Sequence, residues 1–321
     1  MGLIRNFFAR RRIKERFGRY LSPAYVEQLI NSGEVPRTTG EDRELTAFFG
    51  SIHAYVTLAE QLPLAQLPGL MNEYFTACTD AIQDEGGLLD KYIGDAVVAM
   101  FGAPLRLPDH ALRACVAALK TQNQIAGLRQ HFQCEEGQWP EAARSLRVRI
   151  GLNSGLVTVG NMGTAARFNY TMMGDEVNLA ARLESGAKAW GVWTLCSGAT
   201  RHACEAAGPG RVFFRSLGPI VVKGRARPVE LFELVALREE ATDGMRECVR
   251  LFERGLASYL AQDWAGAEVL FRQSAVLESN QPGKSLGVTS NPSLVFTDLC
   301  IRLRADPPGP GWAGVYQLKE K

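Results

Sequence analysis

The sequence predicts an α+β fold, a mixed β-sheet covered by helices. Short strand-like runs are interrupted by stretches with helical spacing, two hairpins are among the strands, and a purely helical region follows them. The chain has 321 residues, enough for one large domain or two smaller ones with a sizeable core.

Taken in order, the chain opens with a basic stretch, and residues 1–44 are expected to be a lead-in helix and linker. Arg5, Arg10, Arg11, Arg12, Lys14, Arg16 and Arg19 oppose only Glu15 and interleave with Ile4, Phe7, Phe8, Ile13 and Phe17. A basic helix with an aromatic side can lie on an anionic membrane surface or pack in a dimer. A solvated lead-in helix accounts for the pattern equally well. Ser22 and Pro23 then read as an N-cap and a first helical residue, and residues 32–42 as a polar linker.

Residues 45–49 read as a strand and 67–82 as a helix stopped by Gly86 and Gly87. A hairpin follows, with Gly94-Asp95 as its two-residue turn between apolar runs. Its second run, Ala96-Val97-Val98-Ala99-Met100-Phe101, is apolar without a break, so both faces of that strand should be buried. Residues 109–128 are helical, 133–144 a polar loop, and 145–152 an alternating strand continued at 155–161 into another hairpin arm. Strands at 192–196, 212–214 and 229–234 close the set.

Beyond residue 235 the composition shifts. Two helices are expected within 248–277, and Ala267-x-x-x-Phe271 with a later Pro282 looks like one tetratricopeptide-type pair, placed at 243–282. One repeat cannot build a solenoid, which takes about three, so the pair is expected to pack on the preceding domain. The remainder, 283–321, reads as a loop, a helix at 293–304, and a Pro/Gly-rich tail with Trp312 docked.

Charge and cysteine usage narrow the function classes. Lys plus Arg (36) nearly balances Asp plus Glu (34), which gives no field of the kind that recruits nucleic acid. Seven cysteines lie scattered with no C-x-x-C spacing, the pattern of reduced thiols in a cytoplasmic protein rather than of a zinc site. No apolar run approaches the roughly 20 residues of a membrane span, and no cleavable signal sequence is expected.

Two segments carry the chemistry. The hairpin Lys91-Tyr92-Ile93-Gly94-Asp95 puts an ammonium on a strand and a carboxylate at a turn. In Gly174-Asp175-Glu176-Val177-Asn178-Leu179-Ala180-Ala181-Arg182-Leu183-Glu184, the acids suit a helix start. Asn178 and Arg182, four apart, project from one face of that helix among apolar neighbours. Each segment alone is also ordinary turn chemistry or a polar helix stripe.

Together they closely resemble the class III nucleotidyl cyclases. Tyr170-Thr171, Arg149-Ile150-Gly151-Leu152-Asn153-Ser154-Gly155, Gly160-Asn161-Met162-Gly163 and Val222-Lys223-Gly224-Arg225 support the match. The resemblance spans about residues 17–235 and implies a cyclase catalytic domain at 45–237, with a ferredoxin-like βαββαβ core. It implies cyclisation of a nucleoside triphosphate by attack of the ribose 3′ oxygen on the α-phosphate, in a cleft between two subunits, with two magnesium or manganese ions. By motif, Asp95 resembles a metal-binding aspartate, and Lys91 and Thr171 match the base-selecting pair in its adenine form. Asn178 would orient the ribose, Arg182 stabilise the transition state and Lys223 hold the terminal phosphates. The partners implied are ATP and a second cyclase chain, identical or not.

One position departs from the family. Its first strand ends in Phe, a small residue, Asp and Ile, followed by x-Gly-Phe-Thr. Here the run is Phe49-Gly50-Ser51-Ile52-His53-Ala54-Tyr55-Val56, with Ser51 where the other metal aspartate stands. A neutral hydroxyl is a poor ligand for a hard divalent cation. Three readings stand on these residues: an adenylate cyclase with a weakened metal site, a silent nucleotide-binding pseudocyclase, and the nucleotide-side subunit of a heterodimer. Each fits a cytoplasmic protein, with the basic helix offering contact with the inner face of a membrane.

Overall fold

The computed structural model describes residues 40–135, 137–164, 167–221, 228–309, 312, 314 and 316–317. The basic lead-in segment and its helix start at Ser22 lie outside the described residues.

Strand β1 (Gly40–Ile52) runs into α1 (Tyr55–Gln61) and α2 (Leu67–Asp84), then the hairpin β2 (Leu88–Ile93) and β3 (Ala96–Phe101). Helix α3 (His110–Cys134) and the short α4 (Glu141–Arg144) lead to β4 (Val148–Thr164). The antiparallel order β2-β3-β1-β4 that results is the ferredoxin-like βαββαβ arrangement expected. The sheet continues through β6 (Thr194–Ser197), β8 (Val229–Leu237), β7 (Val212–Val221) and β9 (Tyr316–Gln317). Strand β5 (Arg167–Met173) folds back on β4 as a hairpin arm, and α5 (Asp175–Trp190) and α6 (Gly198–Ala207) complete the domain.

The unbroken apolar run of β3 is buried on both faces. Val97, Ala99 and Phe101 join the core beneath α2 and α3, whereas Val98 and Met100 pack with Leu45, Met172, Val177 and Ala180 on the other side. That second cluster ties the hairpin, β1, the β5 arm and α5 into one body, and so fixes the elements that carry the site.

Two local expectations are corrected. The last residues of the expected linker, 40–42, already belong to β1, because β4 runs unbroken to Thr164 and supplies a partner strand (Gly40 opposite Gly160). Polar side chains there are satisfied across the ladder, as Thr158 Oγ1 donates to Asp42 Oδ1 at 2.9 Å. The 133–144 loop holds the end of α3 and all of α4, with Phe132 buried against Trp139 at 4.5 Å between ring centres.

Helices α7 (Asp243–Leu260), α8 (Trp264–Leu277) and α9 (Pro292–Ala305) follow the sheet. Phe252, Phe271 and Phe296 meet Trp190 of α5 in one aromatic core, and Trp312 packs edge-on against Tyr259 and Trp264. Arg215 of β7 is buried, donating from Nε to Glu233 (2.7 Å) and from Nη1 to Glu278 (2.7 Å) beyond α8. The helical extension is therefore joined to the sheet by an apolar core and a buried ion pair.

Candidate active site

The β2–β3 turn places Asp95 beside the end of β1. Gly94 takes φ 62°, the left-handed conformation a two-residue hairpin turn needs. Asp95 Oδ2 accepts from Ile52 N at 2.8 Å, so the turn carboxylate is anchored next to Ser51.

Lys91 and Thr171, 80 residues apart in sequence, meet directly: Lys91 Nζ donates to Thr171 Oγ1 at 3.1 Å. Thr171 Oγ1 donates in turn to Asp90 Oδ2 at 2.7 Å, and Asp90 Oδ1 lies 3.5 Å from Lys91 Nζ. The ladder slips between Leu89 and Lys91, which leaves Asp90 as the extra residue of a β-bulge. Consecutive strand residues ordinarily face opposite sides of a sheet; the bulge turns Asp90 and Lys91 to the same hydroxyl. The Asp90 carboxyl is raised above the usual carboxylate range by burial, against the pull of the Thr171 hydrogen bond and of Lys91.

Helix α5 carries Asn178 and Arg182. It lies directly on β4 at Gly151, where a Cβ would collide with Glu184 N and Ala180 O. Its first turn is fixed by Asn153 Nδ2, which donates to Glu176 O (2.9 Å) and Glu176 Oε2 (2.7 Å). Asn178 is exposed and Arg182 half-buried. Arg182 Nη1 is buried and has no hydrogen-bond partner among the described residues, an arrangement that favours an incoming anion. Among the described residues no hydrogen bond or ion pair joins Asn178 or Arg182 to Asp95. Lys223 lies outside the described residues.

At the departure from the family pattern, Ser51 Oγ donates to Glu184 Oε1 at 2.5 Å. Arg149 approaches the same oxygen from Nε at 3.4 Å and donates from Nη1 to His53 Nδ1 at 2.8 Å. Beneath them the Tyr74 hydroxyl is pushed well up, by burial first and then by Cys78, Asp95 and Glu184. The donor set does not fit a two-ion site of the expected kind. Asp95 is one carboxylate, Ser51 is neutral with its proton committed to Glu184, and Glu184 is held by Arg149. The described residues contain no group of three or more His, Cys, Asp or Glu placed to hold a metal ion.

Residues 39–235 match the family described as Adenylate and Guanylate cyclase catalytic domain, more than half of the chain. The chain is 30% identical over 221 residues to Adenylate cyclase 1 of Rhizobium meliloti (strain 1021), covering 69% of this chain and 32% of that protein. Among solved structures it resembles the adenylyl cyclase CyaB of P. aeruginosa, with TM-score 0.55 and 31% identity over 64% of this chain and all of that one. The guanylyl cyclase Cya2 matches with TM-score 0.53 and 29% identity, over 63% of this chain and 97% of that one. The chain belongs to the adenylate and guanylate cyclase catalytic-domain family, the class III nucleotidyl cyclases. It spans about a third of the length of that curated relative.

The structure thus brings Lys91 to Thr171 and Asp95 to the end of β1 at Ser51. Asp90 and the Ser51–Glu184 contact were not anticipated as functional. A carboxylate in the half-apolar run Leu88-Leu89-Asp90 was the available signal for the first. The second joins residues 133 apart and had none. No described helix is long and apolar enough to cross a membrane.

Proposed function

We propose that this chain is the adenine-nucleotide-binding half of an adenylate cyclase, with ATP as its ligand and 3′,5′-cyclic AMP and pyrophosphate as the products of the assembled site. The observation that carries the reading is the Lys91–Thr171 contact. An ammonium only donates, which suits a ring nitrogen of adenine, and a hydroxyl oxygen beside it can accept from the exocyclic amine. Asn178 would hold the ribose, and Arg182, with its buried unpartnered nitrogen, would neutralise charge gathering on the α-phosphate as the 3′ oxygen attacks and pyrophosphate leaves. Lys223 is assigned the terminal phosphates on sequence alone.

Completion of the site falls to a second chain that brings carboxylates to face Arg182. Exposed apolar side chains at Val56, Ile93 and Met173 border these elements and support an interface there. A heterodimer whose partner carries both metal aspartates is favoured by the loss of one of them in this chain. A silent pseudocyclase is the second reading, favoured by the commitment of the Ser51 hydroxyl to Glu184. The helical extension is proposed to brace the domain as a single tetratricopeptide-like pair, and the basic lead-in helix to touch a membrane surface.

Equilibrium binding tests the nucleotide assignment without requiring turnover. ATP should bind the purified chain, or its dimer, at least about tenfold more tightly than GTP, the worth of one well-made hydrogen bond. Lys91→Glu should erode that preference. Equal affinity for the two nucleotides in the parent protein would remove the adenine assignment.

A further inference from the structure

A threonine hydroxyl does not by itself distinguish adenine from guanine. It can accept from the amine of adenine or rotate and donate to the carbonyl of guanine. Its choice depends on where its single proton is already held. Around Thr171 that question has a definite answer, because both of its neighbours are one-way groups. Lys91 can only donate, and it occupies one lone pair of Oγ1 at 3.1 Å. An ionised carboxylate can only accept, and Asp90 Oδ2 takes the proton at 2.7 Å. One lone pair remains, and it can only accept.

We propose that Asp90 is a specificity-determining residue, which sets the polarity of the Thr171 hydroxyl so that the site accepts a hydrogen bond from the exocyclic amine of an adenine base and rejects the carbonyl of guanine. The assignment rests on the nucleotide reading given above. It extends that reading to a residue set behind the pair: the Asp90 side chain is 2% exposed, against 39% for Lys91, and Asp90 touches the buried Thr171 hydroxyl, through which it would act on the base. The β-bulge is what makes the arrangement possible, because a regular strand would turn Asp90 away from the side that Lys91 faces. Packing holds the register: Leu88 and Met172 share one buried cluster, while Leu89 packs on the opposite face. Burial raises the Asp90 carboxyl above its ordinary range, while Lys91 at 3.5 Å and the Thr171 hydroxyl favour its ionised form.

The test is Asp90→Asn, an isosteric change that supplies a donating amide. The Asn amide can donate to Thr171 Oγ1, release the hydroxyl proton toward the base, and so present a donor where the parent presents an acceptor. The ratio of ATP to GTP affinity should then fall at least tenfold, with GTP gaining absolute affinity. Asp90→Ala, which leaves the hydroxyl free to rotate, should lower the ratio by less. Both variants remove a buried charge, so both should fold, and either suffices if the other does not. In a Thr171→Val background, Asp90→Asn should leave the ratio unchanged, which separates hydroxyl polarity from a general disturbance of the hairpin. A parent without ATP preference contradicts the nucleotide reading itself. A parent that prefers ATP, with folded Asp90→Asn or Asp90→Ala keeping the parental ratio, overturns the role of Asp90 alone.

Discussion

Ser51 donates its hydroxyl to Glu184 at 2.5 Å, joining the end of the first strand to the helix that carries Asn178 and Arg182. Where the family pattern has a metal-binding carboxylate, this chain has a neutral strut between strand and helix. The Lys91–Thr171 contact proposed to read the base forms within the chain, while Asp95 at the end of β1 is the one carboxylate left of the proposed metal pair. This division supports the proposal that the chain supplies the nucleotide side of a shared site.

If the site is shared, Arg182 acts opposite the Asp95 of another chain. In a Ser51→Asp background, Arg182→Ala and Asp95→Ala chains should each be inactive alone and recover activity when mixed. Random pairing gives about half heterodimers, each with one intact site of two, hence about a quarter of the background activity. Cyclic AMP formation in mixed, exchanged subunits measures it. No recovery would mean that the two residues do not meet between chains.

Much of this was legible in the sequence, for physical reasons. The unbroken run at 96–101 could only be a strand covered on both faces, and Gly94-Asp95 could only be its turn. Asn178 and Arg182 shared a face by helical spacing alone. The early start of β1 was not legible, because its polar residues from Gly40 to Glu44 are a strand only by virtue of β4 beside them. Asp90 was hidden by the bulge, which overrides the two-residue period that sequence reading relies on. Glu184 could not be linked to Ser51, since nothing local connects a strand end to a helix 133 residues later.

The buried ion pair of Arg215 should matter to the whole domain. Glu278→Ala leaves a guanidinium that is 3% exposed with Glu233 alone, and also removes the acceptor of Ser293 Oγ at 2.6 Å. Removing one partner of such a pair costs about 3 kcal/mol or more. Urea denaturation should report that loss, with Glu278→Gln losing less. A change within about 0.5 kcal/mol, the size of a surface substitution, would mean that the extension is not braced through this pair.

Acid should weaken the fold through two histidines. His53 is held below its ordinary pKa by burial and then by Arg149 and other nearby cations, and His110 by burial against the opposite pull of Glu44 and Asp109. A lowered folded pKa means that the unfolded chain takes up protons first. Stability from these groups is therefore present above about pH 6.5 and is lost as pH falls through the range down to the folded values. Thermal melts across that range should show a falling Tm, with a shallower slope in a His53→Asn, His110→Asn double variant. An unchanged slope would assign the acid sensitivity elsewhere.

Cyclic AMP formation from ATP by the purified parent and by Ser51→Asp, each with magnesium and with manganese, tests the central claim most directly. On the proposed reading the nucleotide side is complete and one metal carboxylate is missing. The parent alone should therefore be at or near background, and Ser51→Asp should raise the rate at least about a hundredfold, the scale of losing one electrostatic contact to the transition state. A parent as active as Ser51→Asp, or a folded, ATP-binding Ser51→Asp protein that stays at background with both ions, would contradict it.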